Sequence, residues 1–310
     1  MSRDNHGHSH ALAATATGTH RRRLMVVLAI TVTVLVVQAV GGLFSGSLAL
    51  LADAGHMATD AAGITAALVA ASLAARPATN ARTYGLQRAE ILAALANGVG
   101  LVLIAGWILW EAVERLGQPG DVLAGPMLAV AVGGLAVNAA SALVLSRGVE
   151  ESLNRSAALR HVVADALGSV GAIAAALVIL TTGWRYADPL VSVLIAVLVL
   201  ASSRTILRDS LRVLLEEAPS GIDVGELGRR MVGVQGVREV HDLHVWTITS
   251  GFPALAAHVL VGAGQDCHET RRALERMLRG EFAIEHTTLQ VDHESESELL
   301  SIETRERAPA

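Results

Sequence analysis

From Leu24 to Leu207 the chain is a series of apolar runs separated by short polar breaks. Six runs, near 24–44, 48–73, 90–115, 123–146, 154–181 and 187–207, reach the about 20 residues that a helix needs to cross a bilayer. The second and fifth are the least apolar, because they are rich in Ala and Gly and carry ionisable residues. Ala61, Ala62, Gly63, Gly168 and Gly171 beside those residues permit close helix approach in lipid, which predicts two buried spans at the centre of a bundle. Past Asp209 the periodicity changes. IDVGELGRRMVGV has helical spacing, VREVHDLHVWTITSG and ALAAHVLVG are strand-like, CHETRRALERMLRG is helical, and IEHTTLQVDH is a third strand. That order predicts a small ferredoxin-like α+β domain with helices layered on a sheet of antiparallel type. The expected fold is therefore a polytopic α-helical membrane protein with six transmembrane helices and a C-terminal α+β ferredoxin-like cytoplasmic domain. Its parts are a His-containing segment 1–23, a membrane domain 24–208, a soluble domain 209–293 and a polar tail 294–310 with the composition of a disordered segment.

Composition supports this division. Of 310 residues, 52% are hydrophobic and 17% charged, and the mean hydropathy of +0.47 is too high for an ordinary soluble domain. The net charge of −5 averages an arginine-bearing membrane half with an acidic end and so says little about nucleic acid; no nucleic-acid partner is expected of a polytopic membrane protein. Cys267 is the single cysteine, which excludes an intrachain disulfide and a cysteine-based zinc finger. Arginine placement sets the orientation. Arg21, Arg22 and Arg23 precede the first span; Arg76, Arg82 and Arg88 follow the second; Arg147 and Arg155 follow the fourth; Arg204, Arg208 and Arg212 follow the sixth. The alternate loops carry one aspartate in GQPGDV, one arginine in TTGWRYADP and no charge in FSGS. The positive-inside rule then places both termini in the cytoplasm of a multi-pass cell-membrane protein, and the N-terminal segment does not read as a signal peptide. The compact, Ala-rich chain reads as bacterial.

The candidate chemistry lies in spans two and five. His56 and Asp60 in AGHMATDAAG, and His161 and Asp165 in LRHVVADALG, repeat one spacing that puts an imidazole and a carboxylate on the same helix face. On a soluble helix one such pair is most often a surface or core hydrogen bond. Two pairs in lipid are different, because buried carboxylates without a ligand cost several kcal/mol or must protonate. With span two entering from outside and span five from inside, His56 lies about 12 Å below its outer end and His161 about 10 Å above its inner end. Each aspartate is about 6 Å further on, so all four fall near mid-membrane. Two nitrogens and two oxygens make a tetrahedral set suited to Zn²⁺. The likeness of the two segments suggests an inverted repeat, which places transporter sites at the midplane.

Other polar positions have blander readings. Gln38, Asn97, Asn138 and Ser141 suit interhelical hydrogen bonds, Asn97 having the strongest functional case. Trp107 and Trp110, near Glu111 and Glu114, suit a headgroup belt. In the soluble domain His241, His244, His258, His268, His286 and His293 gather; His241, His258 and Asp292 could form a further metal site if strands or a dimer partner join them. His241 and His244 point to opposite faces of a regular strand, so both serve one site only with a bulge. His6, His8 and His10 in HGHSH are a metal-collecting tract by composition, with His20 beyond it.

SGSLALLADAGHMATDAAG, YGLQRAEILAALANG, EAVERL, HVVADALGS, VHDLHVW and EHTTLQV together resemble the cation diffusion facilitator family of zinc transporters over nearly the whole chain. The resemblance implies a homodimer of six-helix protomers that exports a divalent cation in exchange for protons, with His56, Asp60, His161 and Asp165 as the transport site. It implies Zn²⁺ as substrate and regulatory ligand, with no cofactor required and no enzymatic activity; Cd²⁺ and Co²⁺ accept similar ligands. Two departures stand out. RPATNARTYGLQRAE has no histidine, aspartate or cysteine before Glu90, so a second site in that loop is not expected. Gln290 stands near where some relatives have a further strand histidine, which implies fewer ligands in the soluble domain. A membrane metalloprotease lacks support, because neither histidine starts His-Glu-x-x-His. A membrane metal sensor or non-transporting scaffold is the alternative from another class.

Overall fold

The structure, a computed structural model, describes residues 18–74, 76–146 and 153–293. They fall into two compact units that divide between Leu211 and Arg212.

Six helices build the first unit: α1 Gly18–Ser45, α2 Leu48–Ala74, α3 Ala89–Gly117, α4 Ala124–Ser146, α5 Leu153–Thr182 and α6 Ala187–Leu214. α1, α2, α3 and α6 are long and apolar enough to cross a membrane, while α4 and α5 contribute the shorter apolar stretches Ala124–Ala140 and Ala166–Thr182 among the described residues. The interior is built from small residues, with Ala105, Ala112, Ala131, Ala172, Ala176 and Ala196 buried around Leu48, Leu101, Ile108 and Met127. Close backbone approach of this kind supplies the dispersion contacts that hold helices together where lipid removes the hydrophobic drive. The outward faces carry large apolar groups, among them Leu43 72% exposed, Trp110 69% and Leu103 68%, a surface suited to acyl chains.

One end of the bundle is fixed by polar contacts that also establish helix direction. The backbone turns between α1 and α2 at Gly46, whose φ of 70° favours glycine. Leu123 N–H, ahead of α4, donates to Ser45 O at 2.8 Å, and Arg115 Nη1, near the end of α3, donates to Gly46 O at 2.6 Å. Asp188, in the first turn of α6, is 0% exposed and accepts from Ser47 Oγ at 2.6 Å, Leu48 N–H at 2.8 Å and Ala49 N–H at 3.2 Å. Ser47 Oγ in turn accepts from Leu50 N–H at 3.2 Å, so the first amides of α2 are satisfied by side chains. The ends of α1, α3 and α5 therefore lie with the starts of α2, α4 and α6, and α2 runs antiparallel to α5. The lone charges of the two polar loops at this end, Asp121 and Arg185, pair with one another.

The sixth helix runs past the expected limit of 207, through Arg208, Asp209, Ser210 and Arg212, to Leu214. Polar side chains stop a hydropathy signal, but they do not stop i to i−4 hydrogen bonding, so the helix outlasts its apolar stretch.

The second unit has α7 Val224–Val232, β1 Val237–Thr249, β2 Phe252–Val261, α8 Cys267–Phe282 and β3 His286–His293. Asp223 caps α7 by accepting from Glu226 N–H at 3.0 Å; Asp266 caps α8 by accepting from His268 N–H at 2.8 Å and Glu269 N–H at 3.1 Å. The α8 apolar face, Leu274 and Leu278, packs with Leu227, Met231, Leu255, Val259 and Ile284 in a buried core. β1 and β2 form an antiparallel hairpin across Ser250 and Gly251, the latter with φ 72°, as hairpin turns require. β3, however, pairs parallel to β2, so the sheet is mixed in the order β1-β2-β3 rather than of antiparallel type. The cause is α8, a crossover that returns the chain to start β3 at the same end as β2.

Candidate transport and metal sites

His56 and Asp60 lie in the body of α2, and His161 and Asp165 in α5. The side chains of Asp60, His161 and Asp165 are outside those described, as are His6, His8 and His10. What is described is the frame. On α2, Thr59 Oγ1 donates to His56 O at 2.7 Å and Thr65 Oγ1 to Ala61 O at 2.7 Å, so both hydroxyls are spent on their own helix. α3 packs on α2 through glycines: a Cβ at Gly55 would sit 2.7 Å from Ile104 Cγ2, and one at Gly63 would sit 3.0 Å from Asn97 Nδ2. Asn97 therefore lies against α2 beyond Asp60, and its Oδ1 is buried with no hydrogen-bond partner among the described residues.

A second polar group sits on the other side of His56. Asp53 is 2% exposed, Gln38 1% and Ser169 0%. Gln38 Nε2 on α1 donates to Asp53 Oδ2 at 2.7 Å, and Ser169 Oγ on α5 donates to the same oxygen at 3.3 Å. Gly168 is what lets α5 come this close, because a Cβ there would lie 2.7 Å from Asp53 Oδ1. Sequence reasoning passed over both Asp53 and Asp188. The available signal for Asp53 was its place two turns before Asp60 in a run otherwise too apolar for a free carboxylate. Asp188 stood where the TTGWRYADP segment meets the sixth apolar run, and a cap on a distant helix leaves no mark in local sequence.

In the second unit β1 contains the required bulge. The register shifts between His241 and His244, with Asp242 at φ 51°. His241 pairs with His258 and His244 with Ala256, two positions apart on β2, so the bulge returns both histidines to one face. This is the face away from the core, since Leu255, Ala257 and Val259 on the alternate positions of β2 are buried. The His241 and His258 rings lie 5.5 Å apart between centroids, and Gln290 is the β3 partner of His258. Asp242 accepts from His244 Nε2 at 2.9 Å and lies 3.9 Å from His258 Nε2. Asp292 does not join this row: it pairs with Leu260 and accepts from Gln290 Nε2 at 2.8 Å. Among the described residues no group of three or more His, Cys, Asp and Glu side chains converges as a metal site. Cys267 Sγ, half-buried, stands 3.6 Å from His293 Nδ1, a thiol–imidazole hydrogen-bond contact, while His293 Nε2 lies 2.9 Å from Gln265 O.

Two carboxylate titrations are set by this unit. Asp266 is held below the usual aspartate range by its bonds from Glu269 N–H and then His268 N–H. Glu226 is held low mainly by its hydrogen bond with Arg229.

A bundle of apolar helices carrying repeated His and Asp pairs, followed by a small α+β unit, defines a membrane cation transporter. The pattern of the cation efflux transmembrane domain matches residues 24–215, and that of the cation efflux protein cytoplasmic domain matches residues 219–294. The chain belongs to the cation efflux, or cation diffusion facilitator, family, whose members are transporters and not enzymes. It is 41% identical over 266 residues to a cadmium, cobalt and zinc/H⁺-K⁺ antiporter of Bacillus subtilis, covering 84% of this chain and 85% of that one. It is 46% identical over 262 residues to the zinc transporter ZitB of Shigella flexneri, covering 84% and 83%. The solved metal-bound C-terminal domain of the CzcD transporter from Cupriavidus metallidurans is 32% identical, covering 23% of this chain and 99% of that one at a TM-score of 0.22.

Proposed function

We propose that the protein exports Zn²⁺ from the cytoplasm across the cell membrane in exchange for protons, through six spans with both termini inside. His56, Asp60, His161 and Asp165 are its tetrahedral transport site. The observation that carries this reading is the repeated His-x-x-x-Asp on α2 and α5, two helices that run antiparallel within one bundle. The relatives named as zinc, cadmium and cobalt transporters support it, and imidazole with carboxylate suits Zn²⁺ better than harder ions.

Binding requires neutral imidazoles and ionised carboxylates, so loading at cytoplasmic pH releases protons. Rocking of helices then turns the site outward. There, protonation of the imidazoles, with an ordinary pKa of about 6.5, weakens coordination and frees the ion, and the site returns protonated. Asp60 and Asp165 supply charge; His56 and His161 supply selectivity and the proton-sensitive step. The paired His241 and His258 on the open sheet face form a partial, regulatory Zn²⁺ site, which a partner copy in a homodimer, rather than Asp292, completes. His6, His8 and His10 collect ions near the entrance.

The test is Zn²⁺ flux in proteoliposomes under an imposed pH gradient. Flux driven by the gradient and abolished by Asp60→Ala supports the assignment. Flux indifferent to the gradient removes proton coupling, and normal flux in Asp60→Ala removes the site.

A further inference from the structure

A carboxylate buried among apolar helices, and not needed by the proposed metal site, calls for a role of its own. Asp53 is such a group, 2% exposed on α2. Position 53 lies two turns from 60, within about 20° of the same face, and about one turn from 56, about 60° round the helix. On α5, Ser169 follows 165 and 161 at single-turn steps, again on one face. Because the two helices are antiparallel, Asp53 and Ser169 both lie on the same side of the ligand positions, towards the end where Asp188 holds the start of α2. With the termini in the cytoplasm this is the outer side. Gln38 from α1 completes the layer, and Gly168 allows the tight fit.

We propose that Asp53 is a positioning residue for transport, which closes the exit side of the path by drawing α1 and α5 onto α2 through Gln38 and Ser169. This rests on the export reading above, which supplies the direction. The chemistry suits a closure that must also open. These two donors are neutral, an amide and a hydroxyl, so parting them separates no ion pair. Gln38 Oε1 is buried with no hydrogen-bond partner among the described residues.

The test uses the full-length protein with Cys267→Ser, so that a single introduced thiol reports. Val34 is buried on α1, one turn to the cytoplasmic side of Gln38 and on the same face. Val34→Cys is labelled in vesicles with a membrane-impermeant thiol reagent applied from the outer side, without zinc. Labelling is expected to be slow in the parent and in Asp53→Asn, which keeps an acceptor oxygen. It is expected to rise about tenfold in Asp53→Ala, and as much in Gly168→Ala, which wedges the layer while keeping Asp53. Zn²⁺ affinity by equilibrium dialysis should change by less than about threefold in the same variants. Equal labelling in all variants, or fast labelling in the parent, overturns the closure. Loss of Zn²⁺ binding in Asp53→Ala overturns it in favour of a ligand. Absent gradient-driven flux in the parent, with the labelling pattern intact, would instead sink the export reading alone.

Discussion

Replacing Asp188 by alanine should loosen the end of the bundle at which α2 begins, and the size of the effect follows from the contacts. The carboxylate is 0% exposed and takes hydrogen bonds from Ser47 Oγ, Leu48 N–H and Ala49 N–H at 2.6, 2.8 and 3.2 Å. A hydrogen bond to a charged group is worth about 1.5–3 kcal/mol, and a donor left unsatisfied in the interior costs about 1–3 kcal/mol. Three bonds to one group are not additive, so Asp188→Ala should cost about 3–5 kcal/mol. Asp188→Asn retains one acceptor and should lose about half as much. Ser47→Ala removes one bond to Asp188 and the cap on Leu50, for about 1–2 kcal/mol. Equilibrium unfolding in mixed micelles, followed by tryptophan fluorescence, reads all three. The double variant should show a coupling of about 1 kcal/mol or more, because Ser47 and Asp188 share a bond. An Asp188→Ala loss below about 1 kcal/mol, or strict additivity in the cycle, would refute the latch.

Gly134→Ala should destabilise the same unit by about 1–3 kcal/mol in that unfolding assay, since the new methyl would lie 2.7 Å from Gln38 Nε2. In the soluble unit, Leu278→Ala, at a fully buried position, should cost about 2–5 kcal/mol, read from the urea midpoint of the circular dichroism transition. The low titration of Asp266 makes its cap present above the ordinary aspartate pKa and lost as pH falls through the lowered folded value. Asp266→Ala should therefore flatten the acid limb of that unit's stability curve while leaving the neutral limb parallel; an unchanged acid limb would refute the sign. His56→Asp should lower the ratio of Zn²⁺ to Mn²⁺ transport, because an oxygen ligand replaces an imidazole; competition flux measures it.

Both halves of the chain were readable because each obeys a strong local rule. Apolar runs of membrane length and a repeated His-x-x-x-Asp announce candidate spans and candidate ligand positions without any knowledge of packing. The strand-like VREVHDLHVWTITSG and ALAAHVLVG, and the helical spacing in IDVGELGRRMVGV and CHETRRALERMLRG, located strands and helices close to where they stand. Three features escaped because they depend on partners remote in sequence. The parallel pairing of β3 was settled by where α8 delivers the chain, the common face of His241 and His244 by a bulge at Asp242, and the extent of α6 by backbone bonding beyond its apolar residues.

By itself the sequence determined which runs are apolar enough to enter a membrane, in what order the elements come, and which side chains are candidates for metal chemistry, since transfer energies and helical periodicity are local properties. Only the tertiary structure decided what the buried acids between these signals do. Asp53 is tied to α1 and α5, and Asp188 to the start of α2, across separations of up to 141 positions. A buried charge must find its donors wherever packing brings them, and that is a property of the folded bundle alone.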